Sequence, residues 1–403
     1  MNARLLDRQQ ALRLCIALIS DFQTERIRAQ RMSQTVHVSS ALSREQFQSF
    51  DEVPISDDVL GIDSLALLDL VSHTSNFFGL YQSGIDDYLL INRTIGEWAD
   101  LVAKHFQITG DKASISLSSS GTTGIKKAIF HHSFALLEET SSIVATLKNE
   151  PGIPRRILSF VSPIHMYGFV WGVLLPKALN IEVKDLSEAS LTSLQRNTKT
   201  GDLVLATPFH WERFASFGQS TAPGVTGVSS AAPADTKTWD AARAVGLTTL
   251  IEVYGSTETG GVGWRTDPKR AMHLLPHLIR CGDEIKRRSS KRPICLQDRL
   301  EWTCAHEFRL KGRLDHMVQV AGANVSLSAV EQLLHNVTSV ASASVKVDGD
   351  RLKAFIVPKG TPSRQLETEL RSAVKHLPPA ARPDRFTFGD QLPRNSMGKL
   401  ANW

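Results

Sequence analysis

The chain has 403 residues, 42% of them hydrophobic and 22% charged, an ordinary globular composition with length for about two or three domains. Its net charge of +5, from 46 basic residues diluted by 41 acidic ones, does not call for nucleic acid as a partner, and no apolar run reaches the roughly 20 residues that span a bilayer. Four cysteines, Cys15, Cys281, Cys295 and Cys304, include no C-x-x-C pair, which argues against a zinc site or disulfide framework and predicts reduced, mostly buried thiols.

From the N-terminus, which lacks the basic-then-apolar form of a secretory signal and so points to the cytoplasm, the first hundred residues read as helical. Leu12, Leu14, Ile16, Ile19 and Phe22 put a broad apolar stripe on a helix over 9–31. Asp63 is placed to cap a helix over 64–78 whose apolar positions are Leu65, Leu68, Leu70, Val71 and Phe77, and Thr94 to cap another over 95–106. Past residue 112 the texture becomes α/β: ASISLS, RRILSFVSP, IEVKDL, DLVLATP and LTTLIEVYG read as strands of a mostly buried sheet, alternating with helices. Lys286, Arg287, Arg288, Lys291 and Arg292 form the densest basic cluster, a solvated loop or a docking patch for an acidic protein. The last ninety residues read as a small α+β unit, with a helix over 330–335, a hairpin closed by Gly349-Asp350, a helix over 364–376 and a proline-rich tail.

Two glycine-rich segments carry the chemistry. Ser118 to Lys127, SSSGTTGIKK, combines close backbone approach, hydroxyl donors and the charge of Lys126 or Lys127, which suits a phosphate; it is not a G-x-x-x-x-G-K-[ST] loop, and a flexible surface loop is the other reading. Val253 to Gly261, VYGSTETGG, directly follows an apolar strand, where open α/β sheets bind ligands. There Tyr254 offers a ring to a base, Ser256 and Thr257 offer hydroxyls to a phosphate, and Glu258 offers an oxygen to magnesium; a plain glycine-rich turn is the alternative.

Together with Gly312-Arg313-Leu314-Asp315 and Pro393 to Lys399 (PRNSMGK), these segments resemble, in order and separation over 112–403, the adenylate-forming superfamily of acyl- and aryl-CoA synthetases, peptide-synthetase adenylation domains and luciferases. The resemblance implies an α/β fold with a large adenylation domain of mixed sheets and a small mobile α+β lid. The expected divisions are a front end over 1–110, a core over 111–312, a hinge over 313–316 and a lid over 317–403. It implies ATP and Mg2+, with Ser119, Ser120, Gly121, Thr122, Thr123, Gly124 and Lys127 around the phosphates, although Lys126 replaces the usual proline. Tyr254, Gly255 and Ser256 with Ser230, Ala231 and Ala232 would hold the adenine side, Asp298 the ribose, although the usual T-G-D triplet is missing, Arg313 the ribose or phosphate, Thr257 a phosphate and Glu258 the magnesium. Asp315 would be the hinge and Lys399 the lysine bridging carboxylate and phosphate.

Pro163 to Gly168, PIHMYG, resembles the segment lining the acyl pocket, so that His165 and Tyr167 would face an aromatic acid; a packing histidine is the other reading. The short front end resembles compact ligases of aryl-polyene and xanthomonadin-type pigment pathways. That resemblance implies activation of a hydroxybenzoate, 3-hydroxybenzoate or 4-hydroxybenzoate, and transfer to the thiol of a holo acyl carrier protein. An aryl-CoA synthetase and a catalytically silent binding protein are the alternatives. The string Leu60-Gly61-Ile62-Asp63-Ser64-Leu65 also looks like a carrier protein in which Ser64 bears phosphopantetheine, though Asp63-Ser64 is equally an ordinary helix cap.

Overall fold

Local signals set the front end. The structure, a computed structural model, describes residues 4–32, 49–119, 127–296, 298–313, 317–320, 323–349, 351–394, 400–401 and 403. Helix α1, Arg8–Met32, buries Ala11, Leu14, Cys15, Leu18 and Ile19. Helix α2, Ser64–Phe78, starts where the Asp63 carboxylate accepts the Ala66 N–H at 2.8 Å and stops at Gly79 in the left-handed region (φ 66°). Helix α3, Ile95–Thr109, opens on a reciprocal capping box between Thr94 and Glu97. The buried face of α2 is the expected one only in part: Leu70 and Phe77 are buried and Val71 half-buried, with Ala66, Leu67, Thr74 and Phe78 also inward, whereas Leu65 and Leu68 are 72% and 53% exposed. With the cap fixing the first turn, the inward positions follow the 3-and-4 spacing from Leu67, and Leu65 falls on the outer face.

This front end shares its core with the α/β part of the chain. Leu14, Leu18, Phe78, Trp98 and Phe106 belong to one buried cluster with Ile115, Leu117, Leu136, Phe169 and Trp171. Arg13 donates to the Gly172 carbonyl at 2.9 Å. By its contacts the chain forms two compact units: Met1–Ile279 with Lys286–Arg292, and Arg280–Ile285 with Pro293–Trp403.

In the first unit, strands β1 (Ser114–Ser119) and β2 (Lys127–His132) make a hairpin with Ser119 opposite Lys127. The main sheet comprises β3 (Arg156–Ser159), β4 (Glu182–Asp185), β5 (Asp202–Ala206), β6 (Thr226–Ser229), β7 (Thr249–Ser256), β8 (Gly260–Arg265) and β9 (Met272–Leu274). Within the unit these run in the order β9-β8-β7-β6-β5-β3-β4, parallel from β7 to β4 and antiparallel at β7-β8-β9. Central β5 is buried at every residue, as strands covered on both faces are, while edge strand β4 alternates exposed and half-buried.

The second unit holds a hairpin of Asp298–Trp302 with Glu307–Arg313 and a sheet in which Val340–Asp348 pairs antiparallel with Arg351–Pro358, and that strand pairs parallel with Pro383–Phe388. Helices Leu327–His335 and Arg364–Ala373 cover it. Asp350 of the expected Gly349-Asp350 turn lies outside the described residues. Lys346 and Lys353 donate to the carbonyls of Ala401 and Trp403 at 2.6 and 2.7 Å. The thiols depart from expectation: Cys15 is buried, but Cys281, Cys295 and Cys304 are exposed, because they lie on short surface strands and turns. Among the described residues no helix is long and apolar enough to cross a membrane.

Candidate active site

The rim past the carboxyl ends of β5, β6 and β7 gathers most of the described candidates, the position at which open α/β sheets bind ligands. Strand β7 carries Tyr254, Gly255 and Ser256 to its end and returns as β8. Only glycine fits at 255: a Cβ there would stand 2.3 Å from the Gly260 carbonyl oxygen. The turn is laced by hydroxyls, since the Ser256 N–H donates to Thr259 Oγ1 at 3.0 Å and the Thr259 N–H donates to Ser256 Oγ at 3.2 Å. Thr257 and Glu258, both half-buried, sit at its apex.

His131 on β2 supports that apex from below, its Nε2 2.7 Å from the Thr257 carbonyl oxygen. Burial pushes its pKa down to about 4, so the ring is neutral and the contact to a carbonyl puts its proton on Nε2. Glu258, a half-buried carboxylate beside a threonine, fits a magnesium ion held by one or two carboxylates and by substrate phosphates.

The neighbouring loop after β6 holds Ser230, Ala231 and Ala232. Ser230 spends its hydroxyl on the Val253 carbonyl at 2.9 Å, tying this loop to β7. Ala231 has φ 74°, a left-handed conformation rare for alanine. Glu252, buried on β7, holds the loop: one carboxylate oxygen accepts the Ala234 N–H at 2.9 Å and the other accepts Arg265 Nε at 2.6 Å.

Tyr167 reaches the same rim and uses its hydroxyl structurally, 2.8 Å from the Val228 carbonyl and 3.2 Å from that of Ala206, at the ends of β6 and β5. The Tyr167 hydroxyl is therefore committed to the ends of the two strands. His165, half-buried, is the N-cap position of Met166–Phe169, and a π turn follows at Val170–Leu174.

Other candidates belong to other elements of the chain. Ser119 and Lys127 are the paired ends of the β1–β2 hairpin; Ser120, Gly121, Thr122, Thr123 and Gly124 between them lie outside the described residues, as do Asp315 and Lys399. In the second unit Asp298 and Arg313 are direct backbone partners across an antiparallel pair, so the two residues expected at the ribose share one end of a hairpin. Ser64 is exposed at the first position of α2.

Sequence reasoning missed the groups beneath the apex. Glu139, inside the helix Ser133–Asn149, is fully buried, and its Oε1 accepts the Gly261 N–H at 2.7 Å. Burial pushes its pKa up to about 7. The basic cluster is not wholly solvated either. Arg287 is largely buried, 3.8 Å from Glu138 and 4.0 Å from Glu139, because two carboxylates of one helix draw it inward. A paired glutamate in an apolar helix facing a Gly-Gly was the available signal.

Comparison with known proteins places this rim in context. Residues 92–280 match the family described as AMP-binding enzyme, and residues 329–399 match the AMP-binding enzyme C-terminal domain. The chain is 41% identical to a 4-coumarate–CoA ligase of Cereibacter sphaeroides, over 99% of this chain and 97% of that protein. It is 37% identical to proteins of the same name from Rhodobacter capsulatus, over 87% of this chain and 91% of that one, and Halorhodospira halophila, over 84% and 87%. Among solved structures it is similar in fold to an ATP-bound RpMatB-BxBclM chimera (TM-score 0.53, 20% identity, 77% of this chain and 71% of that one). It is also similar in fold to the anthranilate CoA ligase AuaEII with anthranoyl-AMP (TM-score 0.51, 18% identity, 74% and 69%).

Proposed function

We propose a specific reaction from a plain premise: the chain belongs to the AMP-binding, adenylate-forming enzymes and is an AMP-forming acid–thiol ligase. The acid is a 4-hydroxycinnamate such as 4-coumarate, and the acceptor is the thiol of CoA. One observation carries this reading, the 41% identity with a 4-coumarate–CoA ligase along nearly the full length of both chains. Transfer of a hydroxybenzoate to a carrier protein rests on the compact front end, a feature the coumarate ligase shares, since it aligns over 97% of its own length.

The chemistry assigns each group a task. The acid's carboxylate attacks the α-phosphorus of ATP; a carboxylate–phosphorus bond forms, pyrophosphate leaves, and the acyl-adenylate is the product. The thiol then attacks the acyl carbon and releases AMP. Two anions meet in the first step, so donors aimed at developing charge are needed. The Tyr254 ring and the Ser230–Ala232 loop would flank adenine, with the loop held in place by Ser230 and Glu252 rather than by the nucleotide. Thr257 would donate to a phosphate, and His131, by holding the Thr257 carbonyl, would fix the direction in which that residue points. Magnesium, when bound at Glu258, supplies charge neutralisation at the phosphates. His165 and the Tyr167 ring would line the acyl pocket. Lys127 and Lys399 would bring positive charge to the phosphates and carboxylate, Asp298 and Arg313 would take the ribose, and Asp315 would be the hinge of the lid motion between half-reactions.

Acid-dependent ATP–pyrophosphate exchange with 4-coumarate, 3-hydroxybenzoate and 4-hydroxybenzoate, followed by thioester formation with CoA or a holo carrier protein, tests the reading. Highest kcat/KM with 4-coumarate and CoA is expected. Preference for a hydroxybenzoate and a carrier protein would refute it, and absence of exchange with every acid would leave only a binding protein. Intact-mass measurement after exposure to a phosphopantetheinyl transferase settles the Ser64 reading, with an unmodified chain removing it.

A further inference from the structure

Beneath the Thr257–Glu258 apex lies a buried charged cluster. The Glu139 carboxylate is wedged under the glycine pair: a Cβ on Gly260 would stand 2.3 Å from Glu139 Oε2, and one on Gly261 2.8 Å from Oε1. Oε1 accepts the Gly261 N–H, while Oε2 is buried without a hydrogen bond, 4.0 Å from Arg287 Nη2. Arg287 reaches both sides, donating to the Ala135 carbonyl at 3.1 Å and to the Thr259 carbonyl at 3.5 Å. A carboxylate on one helix and a guanidinium from the 286–292 segment thus hold the two consecutive peptide groups that close the nucleotide turn.

We propose that Glu139 and Arg287 are positioning residues for adenylation: the ionised Glu139 and Arg287 together hold Thr259–Gly261, and thereby present Thr257 and Glu258 to the ATP phosphates. Protonation of Glu139 removes its attraction for Arg287 and loosens the turn. The charged and titratable groups around the pair are Glu138 on the same helix, His131 on β2, His277 after β9, and Arg287 itself. Burial holds His131 at about 4 and His277 at about 3, so neither changes charge near neutrality. Glu139, pushed up to about 7 by burial, does.

The inference rests on the ligase reading, and the test separates the two. Exchange by the unaltered chain with its best acid is measured from pH 5.5 to 8.5, beside Glu139→Gln, Arg287→Lys and Glu139→Gln/Arg287→Gln. Absence of exchange in the unaltered chain sinks the ligase reading and this inference with it. If exchange occurs, kcat/KM for ATP should fall below about pH 7, with KM for the acid unchanged. Glu139→Gln, whose amide keeps the Gly261 bond but turns a neutral group to Arg287, should be about 10- to 100-fold slower at pH 8, in line with lost outer-shell partners, and should lose the acid limb. Arg287→Lys should retain the limb at reduced rate, and the double variant should be no worse than Glu139→Gln alone. The proposal is overturned if the unaltered chain shows no limb near neutrality, or if folded Glu139→Gln keeps both rate and limb. Should Glu139→Gln not fold, the profiles of the unaltered chain and of Arg287→Lys decide alone, and an Arg287→Lys profile without the limb overturns it.

Discussion

Replacing Gly255 with alanine tests whether the β7–β8 turn is as tight as its packing requires. The new methyl would stand 2.3 Å from the Gly260 carbonyl oxygen and 3.0 Å from Gly261 Cα, where ordinary contact begins at 3.4 Å. Both neighbours are backbone, so the strands must part by about 1 Å at that point, at a cost of roughly 1–3 kcal/mol for overpacking. In thermal unfolding this reads as a loss of about 2–4 °C per kcal/mol for a unit of this size. With Thr257 and Glu258 in their proposed roles, function suffers more, because displacing reacting groups by about 1 Å costs on the order of 10² in rate. Acid-dependent exchange should therefore drop about 100-fold in Gly255→Ala. Gly84→Ala, also a glycine but at φ 65° with nothing within 4 Å, controls for backbone strain and should keep its activity. A Gly255→Ala protein within threefold of the original in exchange, with unchanged melting, would show that the turn has room the geometry denies it.

Further outcomes rest on burial and pairing. Leu67→Ala should cost about 2–5 kcal/mol and Leu65→Lys less than about 0.5, by denaturant titration, since only the first side chain is buried; equal losses would mean the buried face of α2 is misassigned. Asp202→Ala should cost about 3 kcal/mol, because it removes the carboxylate that Arg156 grips at 2.7 and 3.1 Å from two nitrogens and leaves that guanidinium only the Asn197 carbonyl at 2.9 Å. Glu139 holds its proton at about 7 against an ordinary 4.5, so its protonated form favours the fold. That contribution, ~3 kcal/mol, is present in full below about pH 4.5 and is lost as pH rises through about 7. Stability measured by urea unfolding should carry this slope in the original chain and lose it in Glu139→Gln, opposite in sign to the activity limb.

Local chemistry made parts of this fold legible. Asp63 and Thr94 are read correctly as caps because a cap is a contact between residues three apart, and Tyr254 to Glu258 is placed at a strand end because an apolar run precedes it. The inward face of α2 was legible at Leu70 and Phe77 but not at its first turns: Leu65 and Leu68 are as apolar as Leu67, and only the neighbour they meet distinguishes them. Glu139 and Arg287 escaped for the same reason. They are 148 positions apart in number, and a charge inside an apolar helix looks like a solvated edge until its partner is known. Ser230 and Tyr167 stood out through a resemblance alone, and nothing in the sequence showed that their hydroxyls are spent on strand carbonyls.

The shared core of the front end and the sheet limits how such a chain can be recombined. A cut before Ala113 would bare Ile115, Leu117, Leu136, Phe169 and Trp171 at once, so the first hundred residues cannot be exchanged as a cassette or trimmed to reach a minimal enzyme. Variant libraries would do better to leave that seam intact, and with it the glycines of the β7–β8 turn, which have no room for a side chain.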